Sequence, residues 1–382
     1  MKIAVTTLAF CVAALLALGM VMLYSSSMAM VNSKTHVAVG AHLLIMQIIW
    51  CGLGLVACVG AASVDYRILN KFAPVIYVVA VILLALVLEK HFGVIRGGAR
   101  RWFSFRGINL QPSEFAKLAL ITALAWYIER YQRYMETWTR GIMLPGLIAG
   151  VMLGLIFVEP DRGTTILLAA VTGTMLVVSG VRWRYILPPM GLALLGLVVS
   201  IIHDPMRMRR IVSWLDLEEH KSGTGYQAYQ AMLALGAGGW TGLGLGNGRQ
   251  KLGFVPEHHT DFILSIIGEE LGLVATLLVV VAFVTIVICG VVIASRARDK
   301  FGFLLGIGIT FLIGFQAFIN IGVVTSALPN KGLPLPFISY GGSSLLAMLT
   351  CVGVLFSIAR QARPFTVRPE NPFQPEAAAQ TT

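Results

Sequence analysis

Runs of about twenty apolar residues recur along the chain, each long enough to cross a hydrocarbon core of about 30 Å. They predict spanning helices over roughly 3–24, 43–63, 72–90, 113–131, 141–158, 164–181, 185–202, 261–294, 303–325 and 342–360. The pattern is that of an all-α polytopic membrane protein with about ten transmembrane helices. Between the seventh and eighth runs lies a long polar stretch, about 203–260, and its segment 226–235 has helical spacing suited to the membrane interface. The eighth run is longer than a bilayer needs, which implies tilt or projection. The apolar run behind Lys2 is too long for the core of a cleaved signal peptide and is read as a retained first span. Residues 1–363 form one transmembrane domain, and the proline-rich end 364–382 is expected to be a disordered tail.

Composition agrees with this reading. Of 382 residues, 57% are hydrophobic and only 12% charged, about half the charged share of a soluble domain. The net charge of +11 does not imply nucleic acid, because the basic residues sit in short loops beside the membrane. Raw counting of Lys and Arg ties the two sides. Discounting the long 203–260 loop, a weak topology signal, leaves the excess on the side of the termini, which places both termini in the cytoplasm. The other face still carries much positive charge. Lys90, Arg96, Arg100, Arg101 and Arg106 crowd the 91–112 loop, and Arg207, Arg209 and Arg210 follow in the 203–260 loop. Headgroup binding accounts for such residues, and so does an anionic substrate, for which the planar guanidinium fork suits phosphate. Cys11, Cys51, Cys58, Cys289 and Cys351 lack metal-site spacing and read as small buried apolar groups.

Charges at bilayer depth are costly and mark function. In the stretch 256–270, Glu257, His258, His259 and Asp261 stand where a loop enters the eighth span, and Glu269 and Glu270 follow inside it. Thr260 is the better helix cap, which frees Asp261 for chemistry. Helical phase aligns Asp261 with Ser265, Gly268 and Gly272, with Glu269 nearer that stripe than Glu270. Glu114 and Lys117, three apart at the start of the fourth span, can pair on one face as a structural or a catalytic couple. Glu159, Asp161 and Arg162 occupy a tight Pro-Gly turn that either binds metal or satisfies itself. Gly236 to Gly248 resemble a phosphate loop only superficially. They have no strand–turn–helix context and are read as turns that pack loop backbone over the membrane. Residues 329–344 combine prolines, glycines and apolar side chains. Such irregular backbone survives at membrane depth only as a cavity wall or buried in protein, and Lys331, Ser339, Tyr340 and Ser343 are its candidate polar contacts.

Five segments together resemble the SEDS family of bacterial cell-wall glycosyltransferases. They are GARRWF at 98–103, QPSEFAK at 111–117, EPDRGT at 159–164, PEHHTDFILSIIGEELG at 256–272 and LPNKGLPLPFISYGGSSLL at 328–346. Within the family they look more like the division branch than the elongation branch. The resemblance implies a ten-helix fold and polymerisation of lipid II, a disaccharide-peptide on undecaprenyl pyrophosphate. It maps the catalytic acid to Asp261, and motif residues to Arg101, Glu114, Lys117 and His259. It further implies a cognate class B penicillin-binding protein, other divisome proteins and work on the outer face of the cytoplasmic (inner) membrane. The α-linked donor and β-1,4 product imply one inverting displacement. In it Asp261 acts as general base, and Arg101, with Arg100 or Lys331, steadies the leaving pyrophosphate. A divalent cation, Mg²⁺ or Mn²⁺, could assist, although no dedicated metal site is readable. The alternatives are a lipid II flippase with Glu114, Lys117 and Glu269 on its pathway, and a non-catalytic division scaffold.

Overall fold

A computed structural model describes residues 1–27, 40–89, 92–96, 99–105, 108–253 and 259–362. The tail 364–382 and Glu257 lie outside these described residues. Apolar runs become helices because hydrocarbon offers backbone groups no partner, so each span must satisfy its own. The order is α1 Lys2–Ser27, α2 Gly40–Ser63, α3 Arg67–Leu88, α4 Pro112–Arg130, α5 Leu144–Val158, α6 Arg162–Val178, α7 Trp183–Ile202, α8 Pro205–Leu215, α9 Tyr226–Ala237, α10 Ile263–Ser295, α11 Lys300–Val324 and α12 Gly342–Arg360. Among the described residues, eight helices are long and apolar enough to cross a membrane. The two other predicted spans are also helical, but α4 carries Glu114, Lys117, Glu129 and Arg130, and α6 has only 17 residues.

Helix α11 lies at the centre, packed against α4, α6, α10 and α12. Helix α12 packs along α2, and α1 along α10. Helix α7 is peripheral, with Ile186 its one buried residue. The predicted helix within the long loop is α9. The loop also holds α8, which was not predicted; at its start Asp204 accepts from the Met206 amide at 3.0 Å and Pro205 takes the first helical position.

Three expectations need correction. First, the region read as the 91–112 loop holds a small three-stranded antiparallel sheet beside the otherwise helical fold. Strand β1 (Gly93–Arg96) pairs with β2 (Ala99–Phe105), which pairs with β3 (Ile108–Leu110). Gly97-Gly98, the sequence between the first two strands, is a dipeptide that short hairpins favour. Second, Thr260 does not cap α10. Residues 259–262 form a turn and the helix starts at Ile263. Third, no single helical phase runs from Asp261 to Gly272, because α10 breaks at Gly272 (φ 79°, ψ −175°).

The break explains the glycine-rich loop. It exposes amides and carbonyls that the helix can no longer pair, and the loop backbone takes them. Leu243 N and Gly244 N donate to the carbonyls of Glu269 and Glu270, each at 3.0 Å, while Leu273 N donates to Gly239 O at 2.9 Å. A side chain on Gly272 would collide with the backbone of 240–242. Positive φ adds strain of about 1–3 kcal/mol for other residues. Gly272→Ala is therefore expected to lower the thermal unfolding temperature of the detergent-purified protein; unchanged melting would contradict the account of the break.

Candidate active site

The turn 259–262 and the irregular segment 331–341 lie against each other, and side chains from the helices fix the pair. Asn320 of α11 donates through Nδ2 to the carbonyls of Asp261 (2.8 Å) and Leu333 (2.7 Å). Gln316, one turn earlier, donates to Pro334 O at 2.9 Å. The Ser339 hydroxyl donates to Thr260 O (2.6 Å) and accepts from Leu335 N (2.8 Å). Tyr340 N donates to His259 O at 3.0 Å. Gln47 of α2 donates to Ser339 O (3.3 Å) and accepts from Gly341 N (3.4 Å). Prolines and a positive φ at Phe337 (67°) limit this segment to a few local turns, such as Ser339 N to Leu335 O at 3.1 Å, and amide side chains supply partners for carbonyls those turns leave over.

Asp261 thus sits at a fixed point with its carboxylate against Gly332. A Cβ on Gly332 would lie 2.7 Å from Asp261 Oδ2, so glycine is what lets the segment approach the acid. The His259 and Tyr340 rings face each other at 6.1 Å. Ser339 serves the wall rather than projecting from it, and Ser343 is buried in the first turn of α12.

The cations divide differently from the sequence reading. Lys331 lies near Arg207, Arg210 and Asp161. Burial, followed by repulsion from the two arginines, holds its pKa below the usual lysine value. Arg101 is committed to the turn after α5, donating to Glu159 O (2.9 Å) and Pro160 O (2.5 Å). Arg100, its neighbour on β2, reaches Leu88 O at 3.3 Å, as alternation along a strand demands. Arg210 and Arg207, the latter paired with Asp204 at 2.6 Å, lie near Lys331, whereas the sequence reading grouped them only with a general basic loop.

The 159–163 turn is partly self-satisfied. Asp161 caps α6, accepting from Thr164 N and Oγ1 and from Gln111 Nε2. Glu159 is fully buried. Neither of its carboxyl oxygens has a partner among the described residues. Burial first, then the Asp161 charge, push its pKa to about 8, against the pull of Arg101.

Glu114 and Lys117 form a buried ion pair at 2.8 Å. Lys117 also donates to Gln316 Oε1 at 3.0 Å, so the pair braces the amide that holds Pro334. Glu269 accepts from the amides of Arg249 (2.7 Å) and Gln250. Glu270 pairs with buried Lys251 at 2.7 Å and accepts from Ser25. The two glutamates clamp the end of the loop that leads to Asp261. The three charges proposed for a transport pathway are therefore each engaged within the protein. Gln47, Gln316, Asn320 and Lys251 were missed by sequence reasoning, and uncharged amides inside apolar spans were the available signal.

Comparison with known proteins identifies the family. Residues 6–364 match the Cell cycle protein family that groups FtsW, RodA and SpoVE. The chain belongs to that family of membrane proteins. Among curated relatives, a probable peptidoglycan glycosyltransferase FtsW of Geobacter metallireducens is 41% identical over 92% of this chain and 93% of its own length. Stage V sporulation protein E of Bacillus subtilis is 36% identical over 91% and 95%. Among solved structures, a chain of a peptidoglycan synthase complex that coordinates polymerization and crosslinking superposes with a TM-score of 0.76 at 29% identity, covering 92% of this chain and 96% of that one. The rod shape determining protein RodA of Thermus thermophilus gives 0.67 at 28%, covering 94% and 97%.

The Glu159 environment sets a pH dependence. The folded protein keeps a proton that the unfolded chain releases above its ordinary value of 4.5, so stability falls as pH rises from there to about 8. Glu159→Gln should flatten the fall in melting temperature between pH 6 and about 8. A slope identical to wild type would contradict a buried, ionisable Glu159.

Proposed function

We propose that this chain is a peptidoglycan glycosyltransferase that polymerises lipid II into β-1,4 glycan strands for the septal wall. The carrying observation is the fixed placement of Asp261 beside Gly332, with Lys331 and the α8 arginines nearby. The greater identity to proteins named FtsW than to the solved RodA supports the division role.

In the reaction the acceptor 4-hydroxyl oxygen attacks the anomeric carbon of the lipid-linked donor. The bond from that carbon to the pyrophosphate oxygen breaks, and its electron pair leaves with the pyrophosphate. Asp261 takes the hydroxyl proton. A base so placed contributes about 10²–10⁴ in rate. Lys331 and Arg210 oppose the charge that grows on the leaving pyrophosphate, with Arg207, paired to Asp204 at 2.6 Å, behind them. Arg101 acts one step back, holding the 159–160 carbonyls. Undecaprenyl chains run between the spans while the sugars stay in water. Both termini lie in the cytoplasm and the site faces outward, a reading supported by the basic residues of the terminal side. A class B penicillin-binding protein, acting with other divisome proteins, cross-links the strands, a reading supported by the synthase complex that this chain resembles.

A resident metal is given no step. Among the described residues no three His, Cys, Asp or Glu side chains converge, and Asp161 is occupied by Gln111 and Thr164. Mg²⁺ or Mn²⁺ enters as a counter-ion carried by the substrate pyrophosphate.

The test is lipid II polymerisation by purified protein with its class B partner, Mg²⁺ or Mn²⁺, and moenomycin to silence other transferases. Wild type should make glycan strands, and folded Asp261→Asn should lose about two orders of magnitude or more. Equal strand formation by both would overturn the role of Asp261. Failure of a folded, partner-bound wild type would overturn the enzyme and favour a transporter or scaffold.

A further inference from the structure

At the end of the bundle away from the candidate active site, α1, α2 and α12 part to leave an apolar cavity of about 330 Å³. Its walls include Ala9, Ala13, Leu55, Ala62, Leu349 and Phe356. It runs along α1 from Ala9 to Leu16 and along α2 from Leu55 to Ser63. At a rise of about 1.5 Å per residue, that is a groove of about 10–12 Å. One leaflet contributes roughly half of a hydrocarbon core of about 30 Å, so the groove spans most of one leaflet.

The mouth is charged. Arg360, one turn beyond Phe356, donates through Nη2 to the carbonyl of Ser63 at 2.7 Å. Ser63 itself lines the groove. Arg360 is exposed, and a guanidinium has five N–H donors in a fork that matches phosphate. The nearby Arg67 is already paired with Asp299 at 2.9 Å.

We propose that this groove is a binding site for one anionic phospholipid, whose acyl chain lies between α1, α2 and α12 and whose phosphate meets Arg360. The shape and charge favour this occupant over others. A helix with its side chains is about 10–12 Å across, too wide for the cavity. The chain's own end, 363–382, carries Glu370, Asn371, Gln374 and Glu376 and is too polar for hydrocarbon. The groove is separate from the pyrophosphate site and does not depend on the reaction proposed above. It does touch the same scaffold. Helix α2 carries Gln47, which binds the 339–341 backbone, and α12 follows directly from that segment. Helices α2 and α12 pack directly on each other, with Gly353 against the Cys58 backbone, so a lipid in the groove lies between α1 and that pair.

The test is native mass spectrometry of the full-length protein, delipidated in detergent and then offered phosphatidylglycerol or phosphatidylcholine. Wild type should retain one phosphatidylglycerol with at least tenfold preference. Ala13→Phe, which fills the groove, should lose the retained lipid, and Ala62→Leu provides a second filling variant should the first fail to fold. Arg360→Gln should still retain lipid but lose the preference, with the two lipids held within about twofold. Equal retention of both lipids by wild type would overturn the proposal. So would undiminished phosphatidylglycerol on a folded groove-filling variant. A lipid-free wild-type dimer that either filling variant converts to monomer would put a second copy in the groove and overturn it as well.

Discussion

Backbone that is neither helix nor strand cannot face lipid, and that constraint shapes the whole end of the bundle that carries the candidate site. The 331–341 segment is made irregular by its prolines and glycines, so side chains must pair the backbone groups that its few local turns leave over. Gln316 and Asn320 do so from the most central helix, Gln47 from α2, and Ser339 from within the segment. The same bonds reach across to Thr260 and Asp261. What satisfies the wall therefore also places the acid. The Glu114–Lys117 pair belongs to this logic. A buried ion pair is weak support for stability by itself, but Lys117 spends its remaining donors on Gln316 and so orients the amide that holds Pro334.

A second broken element follows the same rule. Helix α10 stops at Gly272 and restarts, and the glycine-rich loop pairs the backbone groups that the break releases. Glu269 and Glu270, costly in a membrane, are kept because they hold that loop through Arg249, Gln250 and Lys251. The charges at this end thus fall into two groups. One group is consumed in holding backbone: Arg101, Asp161, Glu269 and Glu270. The other lines the site: Asp261 on one side, Lys331 and Arg210 on the other.

Most helices were legible because hydrocarbon enforces a simple pattern, and Asp261 was legible because a carboxylate at a span boundary is conspicuous. What escaped was whatever depends on a partner distant in sequence. Gln47, Gln316 and Asn320 look like minor polar interruptions until the 331–341 segment is placed beside them. Arg100 and Arg101 looked equivalent until β2 sent them to opposite faces. Gly272 looked like part of a smooth small-residue stripe, since nothing local distinguishes a close-packed glycine from one at positive φ. The sheet was hidden because its strands are short, and α8 because its capping Asp204-Pro205 pair was embedded in a loop read only for charge.

The most direct test of this account is steady-state polymerisation by Asn320→Leu, which keeps the bulk of the side chain but cannot donate to the Asp261 and Leu333 carbonyls. If the amide places the acid, kcat should fall at least tenfold while KM for lipid II stays within about twofold and the protein remains folded and partner-bound. Wild-type kcat in that variant would contradict the claim that the broken backbone and its amide partners position Asp261.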